Sequence, residues 1–202
     1  MNDPTLKVQS GAASLQGRRS ANEDYAGFAQ PRARDAAMHG VVAALADGVG
    51  GMRGGRVAAE LSVRSFLEAY YSLPETYGVE QLAARILTSV NNWIYAVGRR
   101  DPDLEGMSTT FSALILRGRQ AHVIHIGDSR IYRLRGEHLE KLTEDHTLPG
   151  PDMSHILYRA IGIENSVRAD YATHLLEVHD RFLLCSDGVH GSLRESVILA
   201  IL

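Results

Sequence analysis

Carboxylates recur in this chain at four places where small or flexible residues interrupt apolar segments. They are Asn22-Glu23-Asp24, Asp47-Gly48-Val49-Gly50-Gly51, Gly127-Asp128-Ser129-Arg130 and Ser186-Asp187-Gly188. The last three follow Val41-Val42-Ala43-Ala44-Leu45-Ala46, His122-Val123-Ile124-His125-Ile126 and Phe182-Leu183-Leu184-Cys185, which read as buried strands. Taken singly, Glu23 and Asp24 could cap a turn, Asp128 could form one, and Asp187 could be the N-cap of a final helix. Several such carboxylates brought together would repel one another and resist ionisation unless cations held them. Oxygen ligands approached past glycines suit Mg²⁺ or Mn²⁺ better than zinc. The chemistry to expect is that of a hard-metal site.

The surrounding pattern says what must position these groups. Strands are predicted at Lys7–Leu15, Tyr25–Ala29 and Gly40–Ala46. Two amphipathic helices follow, one carrying Ala59, Val63, Phe66, Leu67 and Tyr70, the other Leu82, Ile86, Val90, Trp93, Ile94 and Val97, with Pro74 in the break between them. Trp93 and Tyr95 are expected in the core. Strand character returns at Thr109–Leu116, Ala121–Ile126, Arg130–Leu134 and His138–Leu142. Tight turns at Arg117-Gly118-Arg119 and Arg135-Gly136-Glu137 suggest an antiparallel meander. Beyond Pro149-Gly150-Pro151 come a helical turn near His155–Ala160, strands near Val167–Leu176 and Arg181–Cys185, and a last helix from about Ser192. Long helices inserted among many strands indicate a layered α+β domain rather than a βαβ-alternating sheet. No repeat or low-complexity linker interrupts residues 1–202, so a single domain is expected.

Composition narrows the function. With 202 residues, 45% apolar and 22% charged, the chain can build a substantial core. A net charge of −3 gives no support to a general nucleic-acid or membrane-surface binder. Arg32, Arg34, Arg117, Arg119, Arg133 and Arg135 are dispersed and read as solvated surface. Cys185 is the only cysteine; inside an apolar strand it reads as a packed side chain, not a nucleophile. With no signal-peptide pattern and no membrane-length apolar stretch, a cytoplasmic location is the expectation.

In order along the chain, Arg19-Ser20-Ala21-Asn22-Glu23-Asp24, Asp47-Gly48-Val49-Gly50-Gly51, Ser108-Thr109-Thr110, Gly127-Asp128-Ser129-Arg130, Leu142-Thr143-Glu144-Asp145-His146 and Ser186-Asp187-Gly188 resemble the motif series of the PPM (protein phosphatase 2C) family. The resemblance runs from about residue 8 to the end. It implies two packed antiparallel sheets flanked by helix pairs, a four-layer α-β-β-α sandwich. It also implies a metal-dependent serine/threonine phosphatase acting on phosphorylated proteins, with a cognate kinase as a further partner. In such a protein Asp47 would bridge two Mn²⁺ or Mg²⁺ ions, and Glu23 and the Gly48 carbonyl would complete the second. Asp187 would bind the first, and Asp128 with Asp187 a weaker third. Two ions sharing a water lower its pKa and aim it at phosphorus, so no covalent phosphoenzyme is needed. Arg19 would clamp the phosphate, or else pair with a neighbouring carboxylate, and Asp24 would orient ligands or water. Glycines 48, 50 and 51 would let the backbone approach the ions closely.

The chain also departs from the family pattern. The late Asp-Asn motif, whose aspartate completes the first metal site, does not appear before Leu202. The apolar ending Val197-Ile198-Leu199-Ala200-Ile201-Leu202 suggests a C-terminally truncated sandwich lacking its closing strands. Val49 stands where some relatives carry a histidine proposed as general acid, which leaves that proton to metal-bound water. Only Thr147 to Tyr158 fill the space where bacterial relatives carry a longer flap. Segments such as Ser65–Tyr71 and Thr110–Leu114 also resemble bacterial proteins that fuse this domain to a kinase. The rival readings are a non-catalytic phosphoprotein-binding module and a small-molecule phosphoesterase. His125 and His146 read as structural histidines.

Overall fold

Strands buried on both faces lie at the centre of the molecule. A computed structural model describes residues 6–31, 38–49, 53–72, 77–150, 153 and 156–202. Its larger sheet has the order β1 (Tyr25–Ala29), β2 (Val41–Ala46), β5 (Phe111–Arg117), β6 (Gln120–Ile126) and β9 (Asp170–Leu175), every neighbouring pair antiparallel. A second sheet has the order β10 (Arg181–Cys185), β7 (Arg130–Arg135) and β8 (His138–Lys141), also antiparallel. A two-stranded ribbon joins β3 (Gly48–Val49) to β4 (Ser108–Thr109).

The two-residue period of a strand divides the core into layers. Ala113 and Ile115 of β5 and Ile124 and Ile126 of β6 face helices α1 (Arg53–Ser72) and α2 (Val79–Gly98). Leu114 and Val123, one residue out of phase, pack with Ile131, Phe182 and Leu184 of the second sheet. On the far side, Ile198 of helix α4 (Glu195–Ile201) packs with Tyr132 and Cys185. A one-turn helix, α3 (Asp187–His190), precedes it. The result is the anticipated four-layer α-β-β-α arrangement.

Helix α2 buries Leu82, Ile86, Val90 and Ile94, a stripe repeating every fourth residue. Trp93, expected in the core, is instead 47% exposed, because one residue along a helix turns a side chain about 100° off that stripe. Tyr95 is half-buried and accepts a hydrogen bond from Arg99.

Three other expectations are corrected. Residues 7–15 form no strand: Gly, Ala and Ser dominate them, and Val8 and Leu15 alone offer large apolar surface. The meander is really two hairpins, β5–β6 and β7–β8, in different sheets. Gly127, at φ 108°, turns the chain between them, and its N–H leaves the ladder to bond His146 Nδ1 at 3.0 Å. Residues 156–160 run as extended chain and bend, with Leu157 bridged to Thr147, rather than as a helical turn. Gly50, Gly51, Pro74 and His155 lie outside the described residues. Among the described residues no helix is long and apolar enough to cross a membrane.

Candidate active site

The acidic residues share a groove because each sits at a strand boundary: Glu23 and Asp24 just before β1, and Asp47, Asp128 and Asp187 just after β2, β6 and β10. Asp47 follows β2, and its backbone is held on both sides. Its N–H donates to Thr110 Oγ1 at 2.9 Å, while its carbonyl accepts from Thr110 N at 2.9 Å and from Thr109 Oγ1 at 2.8 Å. Thr110 Oγ1 in turn lies 2.8 Å from Ser129 Oγ, so one hydroxyl pair ties the Asp47 end of the site to the Asp128 corner. At that corner Arg130 forks onto Asp145 with Nε and Nη2, at 3.1 and 2.6 Å, and donates to Tyr132 OH at 3.0 Å.

Glu23 and Asp24 arrive on the strand entering β1. Asn22 Oδ1 accepts the Asp24 N–H at 3.1 Å, and Arg56 of α1 donates to the Asp24 carbonyl at 2.6 Å. Asp187 opens α3, but it is not the N-cap that its sequence position suggested. Ser186 occupies that place, and its hydroxyl reaches across the site to Asp24 Oδ2 at 2.7 Å.

Arg19, Glu23, Asp24, Asp47, Gly48, Asp128 and Asp187 all line one groove of about 2930 Å³. Arg19 stands at its edge with 78% of its side chain exposed, its Nη2 3.5 Å from Asp187 Oδ2. At that length the contact is a loose ion pair, the alternative role anticipated for this arginine.

Crowding of like charge dominates the electrostatics. Burial, together with the charges of Asp24, Asp187 and Asp128 and a hydrogen bond with Asp24, pushes the Asp47 carboxyl up to about 8. Burial and Asp187 push Asp128 up to about 6. A cation among these groups would reverse both effects by neutralising the carboxylates.

The residues fit such a cation on three counts. Glu23 Oε1 is buried without a hydrogen-bond partner. The approach to it is built of glycine: a Cβ on Gly48 would fall 2.3 Å from the Gly55 carbonyl carbon, and one on Gly55 would fall 3.2 Å from Glu23 Oε1. The donors are all carboxylate or carbonyl oxygens, the set that hard divalent ions prefer. Among the described residues, no three His, Cys, Asp or Glu side chains stand close enough together to hold a metal ion as they are placed. Four carboxylates that repel one another are expected to line a groove rather than converge on a point.

The histidines take structural roles. His125 Nδ1 lies 2.9 Å from Ser112 Oγ and its Nε2 3.0 Å from the Glu144 carbonyl; burial first, then His146, lowers its pKa to about 4. His146 accepts from Gly127 at Nδ1, so its Nε2–H donates to Asp170 Oδ2 at 2.9 Å. The hydroxyls of Thr110, Ser129 and Ser186, the Arg56 contact and His190, whose Nε2 meets the Asp128 carbonyl at 3.0 Å, were not anticipated. Ser129 and Ser186 stand beside Asp128 and Asp187 and Thr110 lies in Ser108-Thr109-Thr110, so membership of the motif series was the signal available.

Comparison with known proteins agrees with this arrangement. The family described as protein phosphatase 2C matches residues 13–200. The chain is 31% identical over 202 residues to the serine/threonine phosphatase stp of Listeria innocua, covering 91% of this chain and 78% of that protein. It is 32% identical over 198 residues to the protein phosphatase PhpP of Streptococcus pneumoniae, covering 90% and 78%. Among solved structures, the S. agalactiae serine/threonine phosphatase superposes with a TM-score of 0.80 at 28% identity, over 91% of this chain and 81% of that one. The catalytic domain of the phosphatase PstP, in complex with 2 manganese ions, gives 0.74 at 30% identity, over 90% and 78%. The chain belongs to the protein phosphatase 2C family and is a protein-serine/threonine phosphatase of the PPM type.

Proposed function

We propose that the groove hydrolyses phosphoserine and phosphothreonine in proteins with the help of two divalent cations, Mn²⁺ or Mg²⁺, without a covalent phosphoenzyme. The observation that carries this reading is that Asp24, Asp128 and Asp187 lie near enough to Asp47 to raise its carboxyl, in a groove that Glu23 and Arg19 also line. Asp47 would serve both cations, Asp187 the first, and Glu23 with the Gly48 carbonyl the second. Asp128 and Asp187 would hold a weaker third. The 2 manganese ions in the PstP structure support this choice of metal and number. When bound, such cations supply a water acidic enough to attack phosphorus near neutral pH and offset charge on the phosphoryl oxygens.

The chain's own groups do the rest. Arg19 is exposed and loosely paired, so its planar guanidinium is free to turn and grip two phosphate oxygens. Asp24, fastened by the Ser186 hydroxyl, would orient the ligands or the water beside it. As the water oxygen bonds to phosphorus, the bond to the serine or threonine oxygen breaks and that oxygen takes a proton. Val49 leaves no imidazole beside Gly48, so the proton comes from water in the groove. Attack by water also suits Cys185, whose buried thiol is pushed up to about 11 and is inert as a nucleophile. Substrates would come from a serine/threonine kinase in the same cytoplasm.

The test is phosphate release from a phosphothreonine peptide with Mn²⁺, with Mg²⁺ and with chelator. Turnover that requires either cation is expected; equal turnover in chelator would overturn the reading. In the same assay Arg19→Ala is expected to raise KM roughly 10-fold or more while kcat changes little, since it removes a charge-assisted contact to bound phosphate. A loss confined to kcat would contradict the clamp.

A further inference from the structure

The helical turn carrying Asp187 is fastened at both ends to other members of the acidic groove. At its start the Ser186 hydroxyl donates to Asp24 Oδ2 at 2.7 Å. At its end His190 Nε2 lies 3.0 Å from the Asp128 carbonyl oxygen, 62 positions away in sequence. A carbonyl only accepts, so Nε2 carries the hydrogen whether the ring is neutral or charged. The turn between these anchors is stiff. Val189 N and His190 N both bond the Ser186 carbonyl, at 3.1 and 3.4 Å, and Gly191 N bonds the Asp187 carbonyl at 2.8 Å. A shift of His190 is therefore passed to Asp187 within a single helical turn.

The same corner is anchored on its other side. Ser129 bonds Thr110, and Arg130 forks onto Asp145. Those contacts fix Asp128 relative to Thr110 and Asp145, and the β7–β10 ladder ends nearby by pairing Arg130 with Cys185. The His190 bond ties the two segments together beyond the end of that ladder.

We propose that His190 is a positioning residue: by donating its Nε2–H to the Asp128 carbonyl, it locks the Asp128 corner to the Asp187 turn and sets the spacing at which the two carboxylates share a cation. This role rests on the metal-assisted reading above. Groups that hold metal ligands in place commonly govern affinity by one to two orders of magnitude when removed.

The experiment is Mn²⁺ titration calorimetry on the chelator-stripped chain, with His190→Leu, His190→Gln and His190→Asn beside it and thermal unfolding as a check of folding. The unmodified chain is expected to show a tight and a weaker class of Mn²⁺ sites. His190→Leu fills similar space without a donor and should weaken the weaker class, which draws both its carboxylates from this corner, roughly 10-fold or more, and the tight class, which draws only Asp187 from it, by less. His190→Gln places an amide nitrogen near the Nε2 position and should keep the weaker class. His190→Asn, one bond shorter, should lose it as the leucine variant does. Phosphate release at limiting Mn²⁺ should fall in the leucine and asparagine variants and recover with excess Mn²⁺.

A folded His190→Leu that binds Mn²⁺ like the unmodified chain would remove the role while leaving the metal reading intact. So would a glutamine variant as impaired as the leucine one. If His190→Leu does not fold, the contrast between glutamine and asparagine decides, and equal binding by those two overturns the role. Absence of any Mn²⁺ binding by the unmodified chain would overturn both the role and the reading beneath it.

Discussion

Asp47→Asn is expected to lower phosphate release by on the order of 10²–10³-fold or more while leaving the chain folded. The substitution keeps the shape of the side chain and removes the charge proposed to serve two cations at once. Its effect on stability should run the other way. In cation-free protein the Asp47 carboxyl is raised from 3.8 to about 8, chiefly by burial and then by Asp24, Asp187 and Asp128. The folded state therefore keeps a proton that the unfolded chain releases. Stability present below the unfolded value is lost as pH rises toward about 8. Asparagine has no such proton to lose. In chelator at pH 8 the variant should melt a few degrees above the parent, and the gap should close toward pH 4. A variant that keeps near-normal turnover would sink the assignment of Asp47. One that melts well below the parent at pH 8 would show that like-charge crowding does not govern this site.

Gly127→Ala is expected to destabilise the fold by roughly 3–5 kcal/mol, lowering the melting temperature by about 10 °C. Two costs combine. The residue sits at φ 108°, where an L side chain is strained, and the added Cβ would fall 2.6 Å from both Cβ and Cγ2 of Thr110. Neither can relax locally. Thr110 is tied to the Asp47 backbone and to Ser129, and the Gly127 peptide bonds His146 through both its N–H and its carbonyl. The corner should therefore shift as a unit and carry Asp128 with it, so turnover at limiting Mn²⁺ should fall even in the cold, where the variant stays folded. Denaturant unfolding measures the first effect. A loss below about 1 kcal/mol would mean that the corner is looser than its bonds imply.

These two sites differ in how far the sequence could announce them. Asp47 stands at the end of a six-residue apolar run and is followed by glycine, a local signal that needs no partner to be read. Gly127 has an equally local signal beside Asp128, a turn former, yet strand spacing around it reads as one meander. That it passes the chain from one sheet to the other depends on where β7 finds its partners. Those partners are β8 close by and β10 some fifty residues downstream. Residues 7–15 differ in the other direction: a strand is expected there, but Gly, Ala and Ser give little surface with which to join a sheet.

Strand and helix periods, the α+β layering and the identity of the acidic residues are legible in the chain alone. Each of these depends on neighbours within a few positions, and the order of the motifs carried the family. Folding alone brings Ser186 to Asp24 across 162 positions, joins Asp47 to Ser129 through Thr110, and sets His190 against the Asp128 carbonyl. It also decided which carboxylates titrate abnormally, since the shifts at Asp47 and Asp128 come from burial and from charges brought alongside by folding. The difference is one of range. Side-chain period and turn chemistry act through the local backbone, whereas hydrogen bonds, desolvation and Coulomb repulsion act through space and exist only once distant segments have been packed together.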